Sequence, residues 1–216
     1  MDFERARQVM VESQLRPFDV TEARLVEAMR SIPREAFVPP HLRDFAYSDQ
    51  ELNIGYGRTL LRPRFLGRML QALAVREGEK ALEIAGAMGY GASVLRRLGA
   101  DVTMLEPIAE LSFAARAALD GCGGGAVKIA STDLRQAWRE GAPFDAILAP
   151  VGAEIVPEAW LEQLAEGGRL CVIVREGVSG QGLLFTKVGG AVASVRRFDA
   201  AIPVAAGLEK PKSFTF

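Results

Sequence analysis

Histidine is almost missing from this 216-residue chain, with His41 the single copy, and cysteine occurs twice, at Cys122 and Cys171. One histidine and two distant thiols make a poor ligand set for zinc. Cys122 lies among glycines and Cys171 inside an apolar run, so free thiols in a reducing compartment are expected rather than a disulfide. Charge of one sign is also lacking: 26 Lys and Arg face 27 Asp and Glu, a net charge of −1. No global field therefore draws the chain to nucleic acid or to an anionic membrane. No apolar run approaches the roughly 20 residues that span a bilayer. The opening Met1-Asp2-Phe3-Glu4-Arg5 is charged and starts a helix-like pattern, unlike a secretory signal. A cytoplasmic location is expected, with no nucleic acid and no membrane as partner. Nothing in the sequence indicates an oligomeric state.

What remains is an ordinary globular composition, 49% hydrophobic and 25% charged, long enough for one domain with a sizeable core. The first 75 or so residues read as helix and loop. Val9, Met10 and Leu15 form one amphipathic segment that stops near Pro17. Thr21 is placed to cap a helix carrying Leu25, Val26, Met29 and Ile32 at helical spacing. Asn53–Thr59 reads as a loop with Gly55 and Gly57, and Pro63 opens a helix carrying Phe65, Leu66, Met69, Leu70 and Leu73. From Lys80 onward strands and helices alternate. Strands are expected at Lys80–Ile84, Asp101–Leu105, Val127–Ala130, Phe144–Ala149 and Arg169–Val174. Helices are expected at Tyr90–Leu98, Pro107–Leu119 and Pro157–Leu164. Such alternation predicts a mostly parallel sheet with right-handed crossovers and helices on both faces. Gly182–Lys187 and Ala191–Val204, joined at Gly189-Gly190, read as antiparallel strands at one edge. The tail Leu208–Phe216 reads as irregular. The reading is a single domain over 1–216, with a helical extension over 1–75 and a Rossmann-like core over 76–216.

The segment Lys80–Gly91, K-A-L-E-I-A-G-A-M-G-Y-G, carries the most chemistry. A buried strand ends in a run of small residues that leads at once into a helix. In open α/β sheets this turn receives the ligand, because amides at the helix start are free to bind it. The next strand ends in Glu106, placed to accept hydrogen bonds from both ribose hydroxyls of a nucleotide. The frame therefore indicates a nucleoside cofactor. The glycine spacing G-x-x-G-x-G, at Gly86, Gly89 and Gly91, is not the dinucleotide fingerprint.

In order along the chain, several blocks resemble the protein-L-isoaspartate O-methyltransferase family, a class of S-adenosylmethionine-dependent enzymes. Ala28–Pro39 is similar to its "AM..VPRE.FVP" segment. Ala46-Tyr47-Ser48-Asp49 and Ile54–Thr59 follow at its spacing. Leu82-Glu83-Ile84 with Gly89-Tyr90, Ala142–Ile147 and Leu161–Leu170 complete the set, which covers about Met10 to Val204. The resemblance implies a Rossmann-like class I methyltransferase fold, S-adenosylmethionine as cofactor, and methyl transfer to the carboxylate of L-isoaspartyl residues in damaged proteins. It also places a cofactor site at Glu83, Ala85, Gly86, Ala87, Gly89, Glu106 and Asp133. Its departures fall in that site. The family's G-x-G-x-G reads Ala85, Ala87, Gly89, and its Q-T-I-S-Q-P reads Arg58-Thr59-Leu60-Leu61-Arg62-Pro63, so Leu61 replaces a serine. The family's G-D-G reads Thr132-Asp133-Leu134, and its threonine-alanine-alanine reads Pro150-Val151-Gly152.

An isoaspartyl carboxylate is already ionised at neutral pH, so the reaction needs alignment and desolvation rather than a general base. The dearth of histidine agrees with this. No residue stands out as catalytic. Thr59 and Arg62 are candidate substrate contacts, and Arg58, Arg62 and Arg64 form either a carboxylate-binding cluster or a solvated charged face. Asp49 is a further candidate for a substrate amide. Glu83 reads either as a structural acid or as a contact for the methionyl amine, and Asp133 either as an adenine contact or as a helix N-cap. Glu106 reads as the ribose ligand or as an exposed carboxylate before Pro107. Tyr56, Tyr90 and Trp160 read as packing residues. Methyl groups at Ala85 and Ala87 cost little where φ is negative and more where the turn needs φ > 0. Two other functions stay open: a family member that has lost turnover and serves as a binding or scaffold protein, and a methyltransferase for another carboxylate.

Overall fold

A computed structural model describes residues 1–211 of the chain. The N-terminal part is built from helices α1 (Phe3–Met10) and α2 (Ala23–Ser31), a two-stranded hairpin of β1 (Leu52–Gly55) and β2 (Arg58–Leu60), and helix α3 (Pro63–Leu73). The alternating part follows: β3 (Lys80–Ile84), α4 (Tyr90–Arg97), β4 (Asp101–Leu105), α5 (Ala109–Gly121), β5 (Lys128–Ala130), β6 (Phe144–Ala153), α6 (Glu158–Glu162) and β7 (Leu164–Glu176). Strands β8 (Ser179–Val188) and β9 (Ala191–Asp199) close the sheet. The strand order is β5-β4-β3-β6-β7-β8-β9, parallel through β7 and antiparallel beyond it. The expected doubly covered parallel sheet with antiparallel edge strands is what forms.

The order reverses between β3 and β6, so the carboxyl ends of these two strands frame the crevice where such sheets bind ligands. Ala81, Leu82, Glu83 and Ile84 are all buried, as a central strand covered on both faces requires. One apolar cluster runs from Met10 and Leu15 through Leu66 and Met69 to Val94 and Met104, so the N-terminal helices and one face of the sheet share a core. The other face packs Leu82, Ile84 and Leu105 with Phe144, Trp160 and Leu170.

Several local expectations change. Asn53–Thr59 is a hairpin, not a loop: Asn53 pairs with Thr59, and Gly55, Tyr56 and Gly57 turn the chain with φ of 92°, 55° and 69°. Tyr56 is therefore an exposed tip residue rather than a packing residue, while Tyr90 and Trp160 are buried as expected. Helix α2 is capped by Glu22, whose carboxylate accepts from the Arg24 and Leu25 amides, and not by Thr21. Strand β6 continues past Pro150 because the register slips between Ala149 and Gly152, which spares the proline a ladder bond it cannot donate. Gly167, with φ of 76°, and Gly168 lie in a bulge inside β7 rather than before it. The last strand ends at Asp199; Val204, further on, bridges to Gly152 in parallel. Within the irregular tail, residues 212–216 lie outside the described residues.

Trp160 ties this frame to the loop after β5. Its side chain is fully buried, and its indole N–H donates to the Leu134 carbonyl at 2.7 Å, which fixes the loop after β5. Trp160→Phe removes that donor and strands a buried acceptor. We expect a loss of about 1–3 kcal/mol in chemical denaturation; an unchanged midpoint would show that the loop is held elsewhere.

Candidate active site

The site grows from one conformational demand. To turn from β3 into α4, the chain places Ala85, Ala87 and Gly89 at φ of 57°, 53° and 88°. Glycine adopts this left-handed region freely, whereas an L-residue pays roughly 1–2 kcal/mol there. The two alanines that replace the family's glycines thus sit where a methyl is costly, and the turn keeps the glycine-type geometry regardless. Gly86 and Gly91 are fixed by packing. A Cβ on Gly86 would lie 2.3 Å from the Met104 side chain, and one on Gly91 would lie 2.0 Å from the Glu83 carboxylate.

Three of the turn's amides are already engaged by protein. Gly86 N–H donates to the Leu105 carbonyl, Gly89 N–H to the Gly86 carbonyl at 2.7 Å, and Ala87 N–H to Glu106 Oε2 at 3.0 Å. Glu106 is wholly buried at the end of β4 and not an exposed carboxylate. Its second oxygen accepts from the Ile108 amide at 3.1 Å. Both oxygens are also gripped by Arg58 from β2, in a bidentate pair at 2.9 Å and 2.9 Å with the guanidinium 4% exposed. The group expected to hold a ribose therefore holds an arginine.

Glu83 lies beneath the turn, fully buried, with Oε2 accepting from the Ala92 amide at 2.8 Å. Burial pushes its pKa up to about 8, the Ala92 N–H pulls it down, and the nearby Glu106 carboxylate adds to the rise. Asp133 follows β5 and accepts from the Arg135 amide at 2.9 Å, so it caps the short turn Leu134–Gln136. Trp138 does not continue a helix from there. Thr59, Leu60 and Leu61 line the crevice together with Ile54, Leu66 and Pro150. Leu61 is 2% exposed: its side chain is core, and its carbonyl accepts from the fully buried Arg34.

Arg58, Arg62 and Arg64 form neither a shared carboxylate-binding cluster nor a solvated charged face. Arg62 is bidentate on Glu51, Arg64 pairs with Asp49, and Arg58 pairs with Glu106, so each guanidinium has its own carboxylate. Composition gave no sign of this, because Glu51 and Asp49 lie outside the motif they neutralise. The structure thus brings Glu83, Ala85, Gly86, Ala87, Gly89, Glu106, Thr59 and Leu61 together, leaves Asp133 on a neighbouring loop, and turns Arg62 to a separate ion pair. Sequence reasoning missed Arg58 as the group that meets Glu106. Its signal was present in the replacement of the motif's glutamine by arginine.

An adenosyl group would call on residue types that are present here, a carboxylate at a strand end, a helix-start turn of left-handed residues and an acid beneath it, although Glu106 and three of the turn's amides are already bonded within the protein. Free space is another matter, since the crevice at the turn encloses only about 20 Å³, room for one water. The residue types suit the group, but the enclosed space at the turn is too small to hold it.

Comparisons with known proteins agree with this geometry. Residues 5–206 match the family model described as protein-L-isoaspartate(D-aspartate) O-methyltransferase. Over 84% of this chain and 74% of the relative, the chain is 40% identical to a protein-L-isoaspartate O-methyltransferase of Rhodopseudomonas palustris. Over 78% and 79%, it is 44% identical to one of Methylorubrum populi. A solved protein-L-isoaspartate O-methyltransferase superposes with a TM-score of 0.80 at 25% identity, covering 94% of this chain and 67% of its own. A Plasmodium falciparum protein solved with S-adenosyl-L-homocysteine shares the fold, with a TM-score of 0.78 at 19% identity over 95% and 98%.

Two outcomes are expected. Native Glu83 keeps its proton up to about pH 8, whereas the unfolded chain releases it near the ordinary value of 4.5. Between those values the native state binds more protons, so stability falls as pH rises and levels off above 8. Glu83→Gln should remove that slope, and its stability relative to the parent should grow from pH 5 to pH 8; a pH-independent difference would refute the burial argument. Glu106→Ala leaves Arg58 buried without a partner and should cost about 3–5 kcal/mol; a loss under 1 kcal/mol in denaturant would mean that the pair is not closed in solution.

Proposed function

The chain belongs to the protein-L-isoaspartate(D-aspartate) O-methyltransferase family, and we propose that it transfers a methyl group from S-adenosylmethionine to the carboxylate of L-isoaspartyl residues in damaged proteins. The single observation that carries this reading is the turn itself. Ala85, Ala87 and Gly89, which match the family's glycine positions, all hold left-handed backbone although two of them carry a methyl that disfavours it. Glu106 lies beneath, in bonding contact with the Ala87 amide.

When bound, the cofactor supplies an activated methyl on a sulfonium. The residues of this chain would supply position. Glu106 would accept from the ribose hydroxyls, Glu83 would stand below the methionyl end, and Asp133 would face the adenine edge after β5. The substrate carboxylate needs no base, being ionised well below neutral pH. Ile54, Leu60, Leu61 and Leu66 form an apolar wall on the substrate side that would exclude water from the nucleophile. Leu61 removes the hydroxyl that the family presents, so recognition of the peptide would fall to Thr59 and to backbone groups. Residues 1–75 would form the substrate side and residues 76–216 the cofactor side. We place the protein in the cytoplasm, acting on isoaspartyl proteins and peptides without nucleic acid or membrane; no helix among the described residues is long and apolar enough to cross a bilayer.

A second reading, a binding protein that keeps the fold without turnover, is favoured by one observation, the closed crevice. The two separate cleanly. With S-adenosylmethionine labelled on its methyl group, the methyltransferase should label an isoaspartyl peptide and leave its aspartyl twin unlabelled. Binding of S-adenosylhomocysteine without labelling of either peptide would point to another carboxylate substrate. Absence of both binding and labelling would leave the scaffold reading.

A further inference from the structure

Arg58 is carried on the smallest independent piece of sheet in the molecule. Strands β1 and β2 pair only with each other and not with the seven-stranded sheet. Two-stranded hairpins are marginal in water unless something else holds them. Here three successive left-handed residues, Gly55, Tyr56 and Gly57, form the tip, and Tyr56 there is 57% exposed. At the tip end of β2, next to Gly57, Arg58 closes on Glu106 with two parallel hydrogen bonds, both groups removed from water. Thr59, Leu60 and Leu61, the next residues, are the substrate-side wall.

We propose that Arg58 is a built-in competitor for the ribose site: closed, its guanidinium occupies Glu106; open, the β1–β2 hairpin lifts, frees Glu106 for the cofactor and moves the Thr59–Leu61 wall with it. The inference rests on the methyltransferase reading and adds a gate to it. The chemistry is a direct exchange. A carboxylate offers about four acceptor sites; with two taken by the Ala87 and Ile108 amides and two by the Arg58 guanidinium, Glu106 has none left for ribose hydroxyls. The Ala87 and Ile108 amides keep their bonds to Glu106 in either state, so the carboxylate stays aimed while its partner changes. Because only the open fraction binds, the apparent affinity is the intrinsic affinity reduced by that fraction. One consequence couples the two substrates: cofactor entry and the shape of the substrate wall respond to the same hairpin movement.

Arg58→Gln restores the glutamine of the family motif and keeps one donor for Glu106; Arg58→Lys keeps the buried charge paired through a single point contact. Titration calorimetry with S-adenosylhomocysteine should give at least tenfold tighter binding for Arg58→Gln than for the parent, and an intermediate gain for Arg58→Lys. In the parent protein, amide exchange over residues 52–60 should quicken when S-adenosylhomocysteine is added. If the parent binds and folded variants bind no tighter, or more weakly, the gate is wrong and the methyltransferase reading stands. Slower or unchanged exchange over 52–60 in the ligand-bound parent would overturn the gate equally. If neither the parent nor the folded variants bind at millimolar ligand, the gate and the cofactor reading fall together.

Discussion

The pairing of Glu106 with Arg58 is the constraint around which the crevice is organised. A carboxylate with no exposure must be satisfied on both oxygens, and here four donors do so: two from the guanidinium and one each from the Ala87 and Ile108 amides. The amide contacts bind the carboxylate to the turn after β3 and to the start of the chain leading into α5. The guanidinium contact draws the β1–β2 hairpin down onto the same point. Through one side chain, the cofactor turn, the second core strand and the substrate-side hairpin acquire a common reference. Buried Leu52, Ile54 and Leu61 seat the hairpin in the core, and the ion pair adds a fixed point at its tip end.

Beneath it, the second acid behaves differently for a physical reason. Glu83 has one amide donor and no cation, so burial decides its charge and holds it protonated near neutral pH. The two carboxyls at the same turn thus differ in their partners: Glu106 has a guanidinium and two amides, Glu83 a single amide. Glu83 also packs directly against Gly86 and Gly91, where a Cβ would meet its carboxylate.

Much of the fold was legible in the sequence. The strands at Lys80, Asp101 and Phe144 announced themselves as short apolar runs followed by helical periodicity, and Gly189-Gly190 marked the edge hairpin. The bounds that shifted did so where local backbone chemistry was overruled by pairing. Pro150 stays within β6 because a register slip accommodates it, and Asn53–Thr59 pairs into a hairpin because Leu52 and Ile54 have a core to face. The positions of Glu83, Glu106 and the Ala85–Gly89 turn were also legible, since each follows from where a strand ends. The partners were not. That Arg58, Arg62 and Arg64 would be claimed by three separate acids depends on the tertiary approach of segments with no shared periodicity. That Leu61 is buried at the crevice wall, with its carbonyl held by Arg34, depends on the same tertiary approach. The sign of φ at Ala85 and Ala87 was an open choice on paper and a fixed property of the folded turn.

Soaking a crystal of the protein with S-adenosylhomocysteine tests the account most directly, because one map shows the turn, Glu106 and Arg58 together. The account predicts ligand density over the Ala85–Gly89 turn, both ribose hydroxyls on Glu106, and the Arg58 guanidinium withdrawn with its hairpin. A fully soaked crystal that shows Arg58 still chelating Glu106, with no nucleoside density above the turn, would contradict it.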